Sequence, residues 1–165
     1  PEITLITNQW VNSYKRLVPG FEAPAFISWA HVSRSDLIRV PAHKPGFENS
    51  MRVEYRAPDP ACNPYLAFSV MLAAGFKGIE NEYPVPPAME GNVFAMSPEE
   101  RQAKGIRALP GSLGEALTLA EGSELLQDAL GEHILNSVIQ NKTIEWGEYR
   151  ATVTDYETSK YLPIL

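Results

Sequence analysis

Apolar residues fall in two regimes along the chain. Up to about Pro60 they come in short runs rich in β-formers. "AFISWA" (Ala25 to Ala30), "DLIRVP" (Asp36 to Pro41) and the alternating "MRVEYR" (Met51 to Arg56) predict strands. The polar stretch "AHKPGFENS" between the last two, broken by Pro45 and Gly46, predicts a loop. From Asn63 onward apolar positions recur at helical spacing, as in Leu66, Val70 and Ala73 with Ala67, Met71 and Ala74. Asn63 is placed to cap that helix, with Pro64 at its first position and Gly75 and Gly78 near its end. A Pro-rich irregular stretch, "ENEYPVPPAMEGNVFAM", follows. Then come repeated helix starts: Ser97 before Pro98 and two acids, a capping box in "SLGE" (Ser112 to Glu115), Ser123, and a second box in "TDYE" (Thr154 to Glu157). The longest run, about Glu132 to Arg150, carries Leu135, Val138, Ile139, Trp146 and Tyr149 near one face. Strands first and helices after predict an α+β fold.

Composition narrows the function classes. A chain of 165 residues with 44% hydrophobic residues suits one globular domain with a real core. Its net charge of -6 argues against nucleic-acid binding through a broad basic surface. Cys62 is the only cysteine, so neither an internal disulfide nor a cysteine zinc site can form, in keeping with a reducing cytoplasm. No apolar run is long enough to span a membrane. Amphipathic sequence begins at Pro1 without an initiator Met, and the expectation is a fragment of something longer.

Candidate chemistry concentrates in "RVEYR". Period-two alternation puts Arg52, Glu54 and Arg56 on one strand face, with Val53 and Tyr55 on the other. One reading is a solvent-exposed face with a cross-strand ion pair. The other is an active-site wall, where a carboxylate holds a hard cation and guanidiniums grip phosphate or carboxylate. Phosphoryl transfer needs that combination. Arg34 and Arg39 are five apart: either Arg34 lies in the loop before the strand, or only one of the two faces a site. His31, His43 and His133 lack metal-ligand spacing. Glu54 is the only well-placed metal ligand, so any active site here is partial.

The segments "NSYKRLVPGFEAP", "SRSDLIRVP", "RVEYRAPDPACNPYLAF" and "GEHILNSVIQNKTIEWGEYRATVTDYETSKYL" resemble the C-terminal portion of the catalytic domain of bacterial-type glutamine synthetase. The resemblance implies antiparallel strands of that domain followed by a helical C-terminal half. The N-terminal β-grasp domain and the upstream catalytic half would be absent. It implies an ATP-dependent ligase that joins glutamate and ammonia through γ-glutamyl phosphate, with Mg2+ (or Mn2+), in cytoplasmic double rings of twelve subunits. By motif, Arg16 resembles the arginine that grips glutamate, and Arg56 a second one on the glutamate side. Glu22 resembles the flap acid that closes the site and helps take a proton from ammonium. Arg34 and Arg39 match arginines facing the phosphates and the transferred phosphoryl group. Arg52 resembles a nucleotide contact, and Glu54 a ligand of one of two metals.

Departures also carry implications. Ser33 replaces the family's usual Asn before Arg34. Phe94, in "GNVFAM", stands where some relatives carry a tyrosine modified by adenylylation, so that control should be absent. Most family metal ligands lie upstream, so the isolated chain is expected to be inactive. Two alternatives remain: a γ-glutamyl-polyamine or γ-glutamyl-amide ligase, and a non-catalytic structural or regulatory relative. The second would be marked by loss of the charged residues, which are all present.

Overall fold

A computed structural model describes residues 1–21, 23–89 and 91–165. The chain opens on helical turns that its sequence does not announce: α1 (Thr4–Thr7) and a 3-10 turn (Val11–Lys15). So short a helix has no propensity to speak of. It forms because Leu5 and Ile6 are wholly buried. Five later helices follow, α2 (Pro64–Glu80), α3 (Pro98–Ala103), α4 (Leu113–Glu121), α5 (Glu124–Ala151) and α6 (Asp155–Tyr161), of which α2, α4 and α5 pack into the core that holds α1. Leu5, Ile6, Tyr14 and Leu17 share one core with Val70, Leu113, Leu117, Leu126 and Leu130.

The sheet order is β1 (Phe26–Ala30), β2 (Asp36–Arg39), β3 (Glu54–Tyr55). Leu37, Ala57 and Leu109 form its own small core. The α+β class holds, but the strand sense needs correction. β2 and β3 are antiparallel, pairing Ile38 with Tyr55 and Arg39 with Glu54. β1 and β2 run parallel, pairing Phe26 with Asp36, Trp29 with Ile38 and Ala30 with Arg39. Parallel pairs ordinarily need a long crossover. Here β2 spans only 4 residues, about 13 Å at 3.3 Å per residue, a return that residues 31–35 can cover. The strand expected over Met51–Arg56 shrinks to Glu54–Tyr55: β2 ends at Arg39, the partner of Glu54, so residues 51–53 run past its end. The other edge of β1 is covered: Ile27 N–H donates to Arg107 and Met89 N–H to Trp29.

Cap signals mostly perform as the sequence predicts. Asn63 accepts from the N–H groups of Tyr65 and Leu66, ahead of Pro64, a cap that contributes about 1 kcal/mol. The boxes at Ser97 and Thr154 are complete. The one at Ser112 is half made: Glu115 turns to the Gly111 N–H instead. Ser123 caps α5, whose regularity breaks at Gly131, with φ 75 and ψ 157. Only glycine adopts that backbone readily. The separate starts expected at Ser123 and near Glu132 are the two limbs of this broken helix.

α2 leaves a continuous apolar stripe uncovered. Tyr65, Phe68, Leu72, Phe76 and Ile79 are between 59% and 82% exposed. A helix apolar all round is ordinarily enclosed, and exposed stripes of this size are contact surfaces. The 165-residue chain alone is therefore expected to self-associate at micromolar concentration. Light scattering checks it: Leu72→Glu with Phe76→Glu should return the monomer mass, and a monomeric parent chain would refute the expectation.

Candidate active site

The register of β2 against β3 builds the first cluster. Arg39 and Glu54 are cross-strand partners, so their side chains meet on one face. Arg39 Nη1 lies 3.3 Å from Glu54 Oε2. Arg52 Nε and Nη2 both approach Glu54 Oε1 at 3.0 Å. One carboxylate thus bridges two guanidiniums. All three side chains are partly solvated, so each pair contributes only tenths of a kcal/mol to about 1 kcal/mol. The cluster is better understood as a placed surplus of positive charge, two cations against one anion, on a chain of net charge -6.

A second group forms where the sheet meets the helical core. Tyr14, buried in that core, anchors the 3-10 turn that ends just before Arg16. Glu145 of α5 holds the same turn by accepting the Val11 N–H at 3.1 Å, while Lys142 pairs with Glu145 at 2.8 Å. Arg16, half-buried, then reaches across to donate from Nη2 to the Ala57 carbonyl. Arg56 continues the β3 ladder through its N–H to Leu37, at 2.9 Å. Burial lowers the Arg16 pKa; nearby Asp59 opposes that shift and Arg56 adds to it. The two arginines assigned to the glutamate side therefore feel one another's charge.

Arg34 stands apart. It lies in the loop before β2, exposed, beside a groove of about 610 Å³ lined also by Gly20, Phe21, Asn92 and Phe94. That settles the spacing question: Arg34 is a loop residue and Arg39 a strand residue. Ser33, the departure from the usual Asn, orders this loop by accepting the Ser35 N–H at 3.2 Å. Glu22, the expected flap acid, lies outside the described residues. His31 packs edge-on against Trp29, with centroids 5.2 Å apart.

One further residue joins the site without a signal in the spacing. Asp59 follows "RVEYRAP" and is 8% exposed. Its charge acts on Arg16, Tyr14 and Cys62. Burial, then Asp59, then Glu145 push the Tyr14 hydroxyl far above its ordinary range. Burial and then Asp59 also raise the Cys62 thiol, so the α2 entry does not hold a reactive thiolate. A lone Asp between two prolines looks like a turn residue, and only the packing reveals its neighbours.

Glu54 is a hard oxygen donor of the kind Mg2+ takes. Among the described residues no group of three or more His, Cys, Asp or Glu comes together to hold a metal. The residues present fit one ligand of a shared cation and no more. No helix is long and apolar enough to cross a membrane.

The family described as glutamine synthetase, catalytic domain, matches residues 1–161. The chain is 53% identical over 163 residues to the glutamine synthetase of Mycobacterium tuberculosis (strain ATCC 25618 / H37Rv), covering 99% of this chain and 36% of that protein. It is 50% identical over 162 residues to that of Methanococcus maripaludis, covering 98% and 36%. Among solved structures, a GmaS/ADP complex superposes with a TM-score of 0.83 at 30% identity, over 98% of this chain and 36% of that one. Apo GmaS without ligand gives 0.79, also at 30% identity. The chain spans about a third of the length of the curated relatives it matches. With the family matched over residues 1–161 and a fold that carries its charged motifs, the chain belongs to the glutamine synthetase catalytic-domain family.

Proposed function

We propose that this chain is the C-terminal portion of the catalytic domain of an ATP-dependent glutamate–ammonia ligase, which makes glutamine through γ-glutamyl phosphate. The observation that carries this is the local surplus of guanidinium charge along β2, β3 and the turn before Arg16, on a chain that is acidic overall. Anionic substrates need such a surface, and paired N–H donors match carboxylate and phosphate oxygens.

In this reading Arg16 and Arg56 hold glutamate. Arg34 and Arg39 face the phosphates and neutralise charge on the migrating phosphoryl group, and Arg52 contacts the nucleotide. Glu22 has the role of the acid that takes a proton from ammonium. Glu54 supplies one oxygen ligand to Mg2+ (or Mn2+), and Arg39 and Arg52 hold its carboxylate in place. When bound, that cation would neutralise phosphate charge. The parent enzyme would be a cytoplasmic dodecamer, and the isolated chain, with one candidate metal ligand, would be inactive.

Glutamate- and ammonia-dependent ADP release by the full polypeptide tests the reading. The full polypeptide should turn over and the 165-residue chain should not. Absence of glutamate-dependent turnover in the full polypeptide would sink it. Similarity to GmaS, seen with ADP, favours one second reading: the same activation of glutamate with a different amine acceptor. Comparing ammonia, ethanolamine and putrescine at equal glutamate separates the two, since an amide or polyamine ligase would prefer an organic amine.

A further inference from the structure

Among the described residues, the Arg16 side chain is held at its tip by the bond from Nη2 to the Ala57 carbonyl, and its Nε makes no hydrogen bond. The placement of the guanidinium therefore depends on the backbone it springs from. That backbone is the end of the 3-10 turn Val11–Lys15, where the Arg16 N–H donates to the Ser13 carbonyl at 3.2 Å. A turn of this kind is weak on its own, because its hydrogen bonds are few and poorly aligned. We infer that Glu145 of α5 is a positioning residue for Arg16: its carboxylate, bonded to the Val11 N–H, fixes the turn and so holds the guanidinium where a substrate carboxylate can be gripped. The inference rests on the substrate reading proposed above and deepens it.

Hydrogen bonds make up each link of the path. The Val11 N–H donates to Glu145 Oε1 at 3.1 Å, and Lys142 Nζ lies 2.8 Å from Oε2. The two carboxylate oxygens thus have separate duties, one on the turn and one on a lysine whose side chain is only 12% exposed. A charged acceptor makes the stronger hydrogen bond. Glu145 is steadied because Val138, Ile139 and Trp146 of the same limb of α5 pack on the main core, as does the Val11 side chain. Within the turn, Ser13 Oγ accepts the Trp10 N–H at 3.1 Å and the Trp10 carbonyl accepts the Ser13 N–H at 2.9 Å. Ser13, buried, then carries the link to Arg16 through its own carbonyl. The residues proposed to face ATP lie elsewhere, along β2 and β3 and the loops before them.

The competing role for Glu145 is that of an ordinary helix ion pair with Lys142, which would contribute to stability and nothing to substrate binding. The two roles part on which KM moves. In the full polypeptide, Glu145→Ala is expected to raise the KM for glutamate about tenfold, the scale of one charge-assisted hydrogen bond. The KM for ATP and kcat should stay within about twofold of the parent. Glu145→Gln keeps an oxygen for the Val11 N–H and should hold the glutamate KM within about threefold. Val11→Pro removes the donor instead. Val11 is the first residue of the turn, where proline fits, and Trp10 before it is extended, with ψ 154. This variant should match Glu145→Ala, and the two together should be no worse than either, because both cut the same bond. A double variant of Glu145→Ala with Arg16→Gln should be no worse than Arg16→Gln alone, because Glu145 acts through Arg16. Amide hydrogen exchange at Val11 and Arg16 should quicken in Glu145→Ala, a readout that needs no substrate.

An unchanged glutamate KM in a folded Glu145→Ala, an equal rise in both KM values, or effects that simply add to those of Arg16→Gln would overturn the inference while leaving the substrate reading intact. If Arg16→Gln itself leaves the glutamate KM unchanged, the role of Arg16 and this inference fall together. If Glu145→Ala does not fold, the decision passes to Val11→Pro. A rise confined to the glutamate KM supports the inference, and an unchanged glutamate KM overturns it. If neither variant folds, the contact serves the fold alone and the inference falls.

Discussion

Arg16→Gln raises the glutamate KM of the full polypeptide about a hundredfold while the ATP KM stays put. The size follows from what is removed. Taking away a paired guanidinium–carboxylate grip without replacement costs about 3 kcal/mol, or two decades of affinity. Gln keeps the apolar stem but ends about where Nε lies, two bonds short of the Nη2 that reaches the Ala57 carbonyl, so that one bond is lost with the charge. It cannot offer the charged fork. Lys at this position should rescue poorly, because a point charge does not match two carboxylate oxygens. The same change in the partner arginine, Arg56→Gln, should behave alike. Steady-state kinetics with glutamate and ATP varied separately give the answer. A glutamate KM within threefold of the parent would remove Arg16 from the substrate site.

Gly114→Ala is the matching expectation for the scaffold. In α4 a Cβ at Gly114 would meet the Trp146 ring of α5 at 2.6 Å. Trp146 is partly buried, packs on the main core and stacks on Tyr149 at 5.8 Å, so it has little room to retreat. Overpacking costs about 1–3 kcal/mol, and the better helix propensity of Ala returns at most about 1 kcal/mol. A net loss of about 2 kcal/mol should lower the melting temperature of the chain by about 4–8 °C. In a Trp146→Leu background the clash disappears, and Gly114→Ala should become neutral or slightly stabilising. Urea or thermal unfolding of the four variants measures that coupling. Equal losses in both backgrounds would show that the ring does not set the limit.

What the sequence made legible was whatever depends on near neighbours. The cap at Asn63, the Pro after it and the apolar spacing from Leu66 to Ala74 are local signals, and α2 forms where they say. The alternation of Arg52 and Glu54 foretold a charged face, and Arg39 joined it because strand register brings it opposite Glu54. What stayed hidden depends on distant contacts. α1 is helical through burial rather than propensity, and the sense of β1 against β2 is set by the path of residues 31–35. Asp59 gained its neighbours only when Thr7, Tyr14 and Arg16 folded against it. The roles of Arg16, Glu22, Arg34, Arg39, Arg52, Glu54 and Arg56 came from motif resemblance and stand as proposals.

The break at Gly131 divides α5 into limbs with unequal holdings. Leu125, Leu126 and Leu130 are buried before it, and Leu135 alone is buried after it. A continuous helix would share any distortion along its whole hydrogen-bond ladder. Here the ladder is interrupted at Gly131, so the distal limb, which carries α6 at its end, takes its own direction. Gly131 thus serves as a joint: it lets Trp146 and Glu145 reach the core and the Val11 turn without bending the leucine-bearing limb before it.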